Sequence, residues 1–250
     1  MKIETLSQLP QELISQIIHE DEGGAWTASG AENILNFLNT HQEAFTSIGL
    51  FEDGLIGALV YRPEDLRIIM IGVIKGKRHH GYGSALIDFL KAKADEMHLA
   101  RIEANAASNA MGFYQANHFE PVGEPSSAGG LDFTPVEYLL GREWLGKSVT
   151  VTVDHPYGSF HPMTADVTYP VNFGYVSAPI AVNEGMQDAW VIGPQEPVDT
   201  FTGTVAGIVY HKDGSSRWIV VQPGMTVNHQ AVIDLIGFEE QYYETQIIWA

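Results

Sequence analysis

Between Leu66 and Leu90 the chain reads LRIIMIGVIKGKRHHGYGSALIDFL, and no other stretch restricts the fold so tightly. It opens on an apolar run, Ile68, Ile69, Met70, Ile71 and, past Gly72, Val73 and Ile74, flanked by Glu64, Asp65 and Arg67. A short uninterrupted run of this kind predicts a strand buried on both faces. A basic loop follows, Lys75 to Arg78, and then His79, His80, Gly81, Tyr82 and Gly83 lead into Ala85, Leu86, Phe89, Leu90 and Met97. That spacing predicts an amphipathic helix, so the unit is strand, glycine loop, helix.

The order has a chemical consequence. The first turn of a helix presents backbone N–H groups that lack intrahelical partners, and glycines let a bulky anion approach them. Arg78, Gly81 and Gly83 form an R-x-x-G-x-G pattern, Ser84 adds a hydroxyl, and Lys75 and Lys77 add positive charge in an otherwise acidic chain. Such an arrangement suits a diphosphate. It lacks the GxxxxGK[ST] spacing of a P-loop and the GxGxxG spacing of a dinucleotide fold. The plain alternative is a solvated basic turn.

A second piece lies downstream, where residues 104–119 read ANAASNAMGFYQANHF. With the first segment, it resembles the acyl-CoA-binding motif and the later strand and helix of the GNAT superfamily of N-acetyltransferases. Ala110, Phe113, Tyr114 and Phe119 fit that pattern. Two positions depart from it. His118 stands where a glycine is usual before the last Phe, with Asn117 expected to take the left-handed conformation instead. Ala107 stands where an asparagine is often found, although Asn105 and Asn109 lie close by. The resemblance implies acetyl-CoA as co-substrate, held by Val73, Ile74, Arg78, His79, His80, Gly81, Tyr82, Gly83, Ser84 and Asn109. It implies an acceptor amine, and Tyr114 as the general acid that returns a proton to the leaving thiolate. The plain reading of Tyr114 is a packed aromatic with a surface hydroxyl, and that of His79 and His80 is a pair of loop caps.

Composition narrows the partners. The 250 residues are 45% apolar, enough for one large or two modest domains. Acids outnumber bases 31 to 13, a net charge of −18 that disfavours nucleic-acid binding and leaves cationic substrates open. With no cysteine there is no disulfide, thiolate catalysis or Cys-ligated zinc. No apolar run approaches membrane-spanning length and MKIETLSQLP lacks a signal-peptide core, so a cytoplasmic protein without a membrane partner is expected.

Taken in order, Lys2 to Ser7 suggests a strand, and Pro10 with Leu13, Ile14, Ile17 and Ile18 a helix ended by Glu20 to Gly24. A second helix is expected after Ser29, through Ile34, Leu35, Phe37 and Leu38 to about Gln42. Two strands, Phe45 to Phe51 and Leu55 to Tyr61, flank Glu52-Asp53-Gly54, whose Asp-Gly pair signals a hairpin. After the central unit come a strand at Ala100 to Ala104, a short helix at Ala110 to Asn117, a strand at Phe119 to Val122, the turn-rich GEPSSAGG of residues 123–130, and a strand at Phe133 to Leu140. The order β-α-α-β-β-β-α-β-α-β-β matches the whole GNAT fold, an α+β domain with a mixed sheet and flanking helices over residues 1–143.

Beyond residues 141–148 the character changes. Val149, Val151 and Val153 alternate with threonines, and no helical period appears until Val227, so residues 147–250 read as a second, mostly β domain. The stretches VDHPYGSFHP, YPVNFGYV, QDAWVIG, FTGTVAGIV, WIVVQP and FEEQYY resemble the small barrel of soluble inorganic pyrophosphatases. The scaffold is kept better than the chemistry. The positions of the family's acidic DxDxxD signature carry Asn183, Gly185 and Asp188, with Glu184 displaced by one. Phe173 stands where a phosphate-contacting Tyr is expected, Tyr242 and Tyr243 align with a Tyr-Lys pair, and the only bases after residue 146 are Lys147, Lys212 and Arg217. A site that neutralises pyrophosphate with several Mg²⁺ ions cannot be furnished from these.

Other candidates have less to recommend them. Glu64, Asp65 and Glu103 flank the cleft strands and could each serve as general base through water, but no spacing selects among them. Asp154, His155, His161 and Asp166 lack metal-ligand spacing and read as locally hydrogen-bonded residues, so no metal site is expected. The sequence thus predicts an acetyl-CoA-dependent N-acetyltransferase joined to a degenerate pyrophosphatase-like barrel. The alternatives are an Mg²⁺-dependent phosphohydrolase seated in the second domain, or a non-catalytic CoA- or metabolite-sensing module.

Overall fold

The structure is a computed structural model that describes residues 1–20, 28–97, 99–177 and 186–250. The chain divides into two compact units, Met1–Ala94 with Arg101–Leu139, and Asp95–Ala100 with Leu140–Ala250. Each is built around its own sheet.

The first unit runs β1 (Lys2–Leu6), α1 (Gln11–His19), α2 (Ala28–Thr40), β2 (Thr46–Glu52), β3 (Gly54–Tyr61), β4 (Ile68–Val73), α3 (Tyr82–Glu96), β5 (Arg101–Ala107), α4 (Met111–Ala116), β6 (Glu120–Pro121), β7 (Ser126–Ala128) and β8 (Leu131–Leu139). The sheet order is β1-β2-β3-β4-β5-β8-β6, with β7 also on β8. Leu13, Ile14, Ile17 and Ile18 of α1 and Leu38 of α2 pack on Ala58 and Val60 of β3 and Met70 of β4, the expected one-sided stripe. The Asp53-Gly54 turn closes the β2–β3 hairpin, where Glu52 pairs with Gly54.

Three expectations need correction. In β4, Ile69 and Ile71 are only partly buried, because that strand loses its β5 partner after its first residue. The GEPSSAGG stretch is not simply a turn: Ser126–Ala128 forms β7 and pairs antiparallel with β8. After α4 the left-handed residue is His118 itself (φ 66°), while Asn117 has φ −100°. Asn117 is instead buried, its Nδ2 donating to the Phe113 carbonyl (2.8 Å) and its own carbonyl accepting from Lys91 Nζ (3.0 Å). The side-chain amide thus caps the helix it was expected to terminate by its backbone.

The second unit contains β9 (Ser148–His155), β10 (Phe160–His161), β11 (Thr164–Thr168), β12 (Asn172–Ser177), β13 (Met186–Ile192), β14 (Thr200–His211), β15 (Ser216–Val221), α5 (His229–Glu240) and β16 (Thr245–Trp249). Strands β9, β12, β13, β15 and β14 pair in a closed cycle, a five-stranded barrel, and β16 extends the sheet from β14. β10 and β11 form a separate hairpin. Asn228 caps α5 by accepting from the Ala231 N–H (3.2 Å), close to where the helical period begins at Val227. Val232 and Ile236 of α5 complete the core that Tyr169, Trp190, Ile192, Val209, Ile219 and Val221 form. Asn183, Glu184 and Gly185 lie outside the described residues.

Candidate active site

The site is built where β4 parts from β5. These two strands are parallel, and among the described residues they pair at one position, Ile68 with Ala104. From there β4 stays with β3 as far as the Gly57–Val73 pair, while β5 stays with β8 to the Ala107–Phe133 pair. The sheet therefore opens between Val73 and Ala107. Main-chain groups along the parted flank of β4 have no ladder to fill and can serve an extended ligand.

Beyond the open end the chain makes a 3₁₀ turn at Lys75–Lys77 and enters α3 through residues 78–81. His79 (φ 63°) and Gly81 (φ 81°) are both left-handed, and left-handed residues within a loop are a feature of anion-binding backbone nests. For a histidine that conformation is strained, and such strain tends to gather at functional loops. The first bond of the helix runs from the Ala85 N–H to the Gly81 carbonyl (3.0 Å), so the N–H groups of Tyr82, Gly83 and Ser84 precede it. No acidic residue stands in that first turn. Arg78 Nε donates to the Val73 carbonyl (2.9 Å), which ties the arginine to the end of β4, and His80 Nδ1 lies 2.6 Å from the Arg78 carbonyl.

Two carboxylates that local sequence signals place only at a helix end and a hairpin turn sit on this loop. Glu52, at the end of β2, accepts from both Lys77 Nζ and the Tyr82 hydroxyl. The bond from Lys77, and then that from Tyr82, holds its carboxyl below the usual range. Glu20 accepts from the Lys75 N–H (2.7 Å) and from Gln16 Nε2 (2.8 Å). These bonds, the Gln16 one foremost, lower its pKa as well. Neither contact has a local sequence signal: Glu20 reaches across 55 residues and Glu52 across 25 and 30.

The predicted residues fall into three groups. Val73, Ile74, Arg78, His79, His80, Gly81, Gly83 and Ser84 follow one another along the chain from the end of β4, as one wall of the loop, into the first turn of α3. Tyr82 and Lys77 share that wall, but their polar tips are committed to Glu52. Asn109 is exposed in the 3₁₀ turn Ser108–Ala110 that follows β5. Gly83 also has a packing role. A β-carbon there would come within 2.8 Å of Phe113 Cε2, so its bareness seats α4. Tyr114, the next residue of α4, is 4% exposed and packed edge-on against Phe113 and Phe119. Burial pushes its phenol pKa up.

The carboxylates weighed as bases lie at the closed end of the gap. Arg62 pairs with both Asp65 and Glu64, while Arg67 pairs with Glu103 and donates to Asn105 Oδ1 (3.1 Å). These residues lie near the Ile68–Ala104 pair, where the strands are joined, and the two arginines offset part of the charge of the three carboxylates.

In the barrel unit, Glu240 is the hub. Its carboxylate accepts from Trp190 Nε1 (2.8 Å) and Arg217 Nη1 (3.0 Å), and His211 Nε2 lies 2.7 Å from its second oxygen. Burial alone would raise its pKa, but His211, Arg217 and Trp190 together bring it below the usual value. Arg217 also lies over the Tyr243 ring. Lys212 pairs with Glu244, and Lys147 lies over the Trp144 ring. Asp188 shares a barrel face with Trp190, and burial raises its pKa. His155 pairs with Asp154 and His161 with Glu239. Among the described residues no three His, Asp or Glu side chains converge to hold a metal ion.

Comparison with known proteins defines the class. Residues 27–140 match the family described as the acetyltransferase (GNAT) domain. The first unit therefore carries a GNAT acetyltransferase domain, the enzyme is an N-acetyltransferase, and its co-substrate is acetyl-CoA. The match leaves out β1, α1 and nearly all of the second unit. No curated protein matches the chain in sequence.

Among solved structures, a GCN5-related N-acetyltransferase (aminotransferase, class-II) from Rhodopseudomonas palustris is 15% identical, with 56% of this chain and 95% of that one covered and a TM-score of 0.47. A GNAT family acetyltransferase from Elizabethkingia anophelis with acetyl-CoA bound is 15% identical, covering 56% and 97%, with a TM-score of 0.41. The ribosomal-protein-alanine N-acetyltransferase of Brucella melitensis is 19% identical, covering 56% and 100%, with a TM-score of 0.42. No described helix is long and apolar enough to cross a membrane.

Proposed function

We propose that the enzyme transfers the acetyl group of acetyl-CoA directly to an amine at the opening between β4 and β5. The observation that carries this reading is the single Ile68–Ala104 pair, with a strained basic loop and a helix N-terminus placed just beyond the parted strands. Pantetheine lies along the β4 flank near Val73 and Ile74, and the diphosphate sits on the main-chain N–H groups from His79 to Ser84, the Arg78 N–H being bonded to the Lys75 carbonyl. Arg78, His79, His80, Gly81, Tyr82 and Gly83 form that cradle, with Asn109 across the opening.

The amine nitrogen attacks the thioester carbonyl carbon, the carbon–sulfur bond breaks, and the thiolate takes the Tyr114 proton. The raised phenol pKa keeps that proton in place at neutral pH. The proton lost by the amine passes to solvent, since Glu64, Asp65 and Glu103 are held in ion pairs at the closed end, and solvent returns one proton to the Tyr114 phenolate to complete the cycle.

For the second unit, the reading is a pyrophosphatase-like barrel without pyrophosphatase chemistry, in a cytoplasmic protein. What supports it is the engagement of Arg217, Lys212 and Lys147 by Glu240, Glu244 and the Trp144 ring. The test of the whole is thiol release from acetyl-CoA over a panel of primary amines, beside phosphate release from pyrophosphate with Mg²⁺ or Mn²⁺. Amine-dependent thiol release without phosphate release is expected. Robust phosphate release abolished by Asp188→Asn overturns the reading of the barrel.

A further inference from the structure

We infer that Glu52 is a positioning residue for acetyl-CoA binding, a carboxylate that staples both ends of the cradle loop. Its two bonds go to Lys77, the last residue before residues 78–81, and to Tyr82, the first residue after them. The four residues between include both left-handed positions, His79 and Gly81. A loop holding a left-handed histidine relaxes unless its surroundings fix it, and here one side chain from the β2–β3 hairpin fixes both ends. The inference rests on residues 78–84 being the diphosphate cradle.

Two accounts of this contact predict opposite signs. If Glu52 acted only through charge, removing it would free the positive charge of Lys77 beside an anionic ligand, and CoA would bind more tightly. If Glu52 positions the loop, removing it lowers the fraction of molecules with the loop formed, and the apparent affinity falls by that fraction. A loop formed about one tenth of the time would weaken binding about tenfold.

The experiment measures CoA binding by calorimetry, acetyl-CoA KM and kcat with an accepted amine, and amide hydrogen exchange across residues 78–85. It uses the full chain and its Glu52→Ala, Glu52→Gln, Lys77→Met and Tyr82→Phe variants. Glu52→Ala is expected to raise both Kd and KM about tenfold, to leave kcat within about threefold, and to speed exchange in the loop. Glu52→Gln, which keeps one acceptor oxygen, falls between, as do the two partner variants. Unchanged or tighter CoA binding by Glu52→Ala, or loop exchange equal to that of the unaltered chain, overturns the role of Glu52 alone. Failure of the unaltered chain to bind CoA overturns the cradle reading and this inference with it.

Discussion

Gly83 and Phe113 meet so closely that a β-carbon on Gly83 would lie 2.8 Å from the ring. The glycine at the start of α3 is thus a seat for α4, and α4 carries Tyr114. Gly81, two residues earlier, has open space around its missing β-carbon but a left-handed φ of 81°.

The two glycines should therefore respond differently to alanine. Gly83→Ala forces the Phe113 ring aside at a cost of about 1–3 kcal/mol and shifts Tyr114, so kcat falls along with stability. Gly81→Ala adds only backbone strain, about 1–2 kcal/mol, and weakens CoA binding more than turnover. Denaturant unfolding and steady-state kinetics of both variants check this. Equal effects on kcat would contradict the assignment of Gly83 to α4.

Much of the first unit is legible in the sequence because its signals are local. The run from Ile68 to Ile74, the Asp53-Gly54 turn and the α1 stripe each need only their own neighbours. The α3 stripe was less clear: Ile87 is fully buried, whereas Phe89 is only partly so. β7 was missed because a three-residue strand of Ser and Ala has no periodicity, and exists only through its pairing with β8. The loop contacts of Glu20 and Glu52 were missed because their partners arrive from distant elements. The packing role of Gly83 is not legible because Phe113 stands 30 residues away in sequence, and no pattern in either segment announces the contact.

Tyr114→Phe removes a hydroxyl and little volume. It should lower kcat by roughly 10- to 1,000-fold and leave CoA affinity nearly unchanged. Because burial raises the phenol pKa, its deprotonation should give kcat no falling limb up to about pH 10. Stopped-flow or thiol-release assays across pH test both statements, and full activity of the variant would assign the proton to another donor.

Glu240 offers a stability prediction confined to the barrel unit. Glu240→Gln leaves the Arg217 charge, 13% exposed, with only the more distant Glu239 (3.6 Å) as counter-charge, a loss of at most about 3–5 kcal/mol. A carboxyl whose folded pKa lies below its unfolded value contributes fully above the unfolded value and loses that contribution as pH falls through the folded one. Stability from Glu240 is thus present at neutral pH and fades only below about pH 4.5. Urea unfolding followed by tryptophan fluorescence suits this unit, which holds Trp144, Trp190, Trp218 and Trp249. A variant as stable as the parent at pH 7 would contradict the hub role.

The central claim is that acetyl-CoA occupies the opening between β4 and β5 with its diphosphate on the loop into α3. Amide hydrogen exchange of the full chain with and without CoA tests it most directly. The account predicts slowed exchange concentrated in residues 70–85, with the barrel strands β9 and β12 to β15 unchanged. CoA binding that protects the barrel strands, or leaves residues 78–84 exchanging as in the free protein, would contradict it.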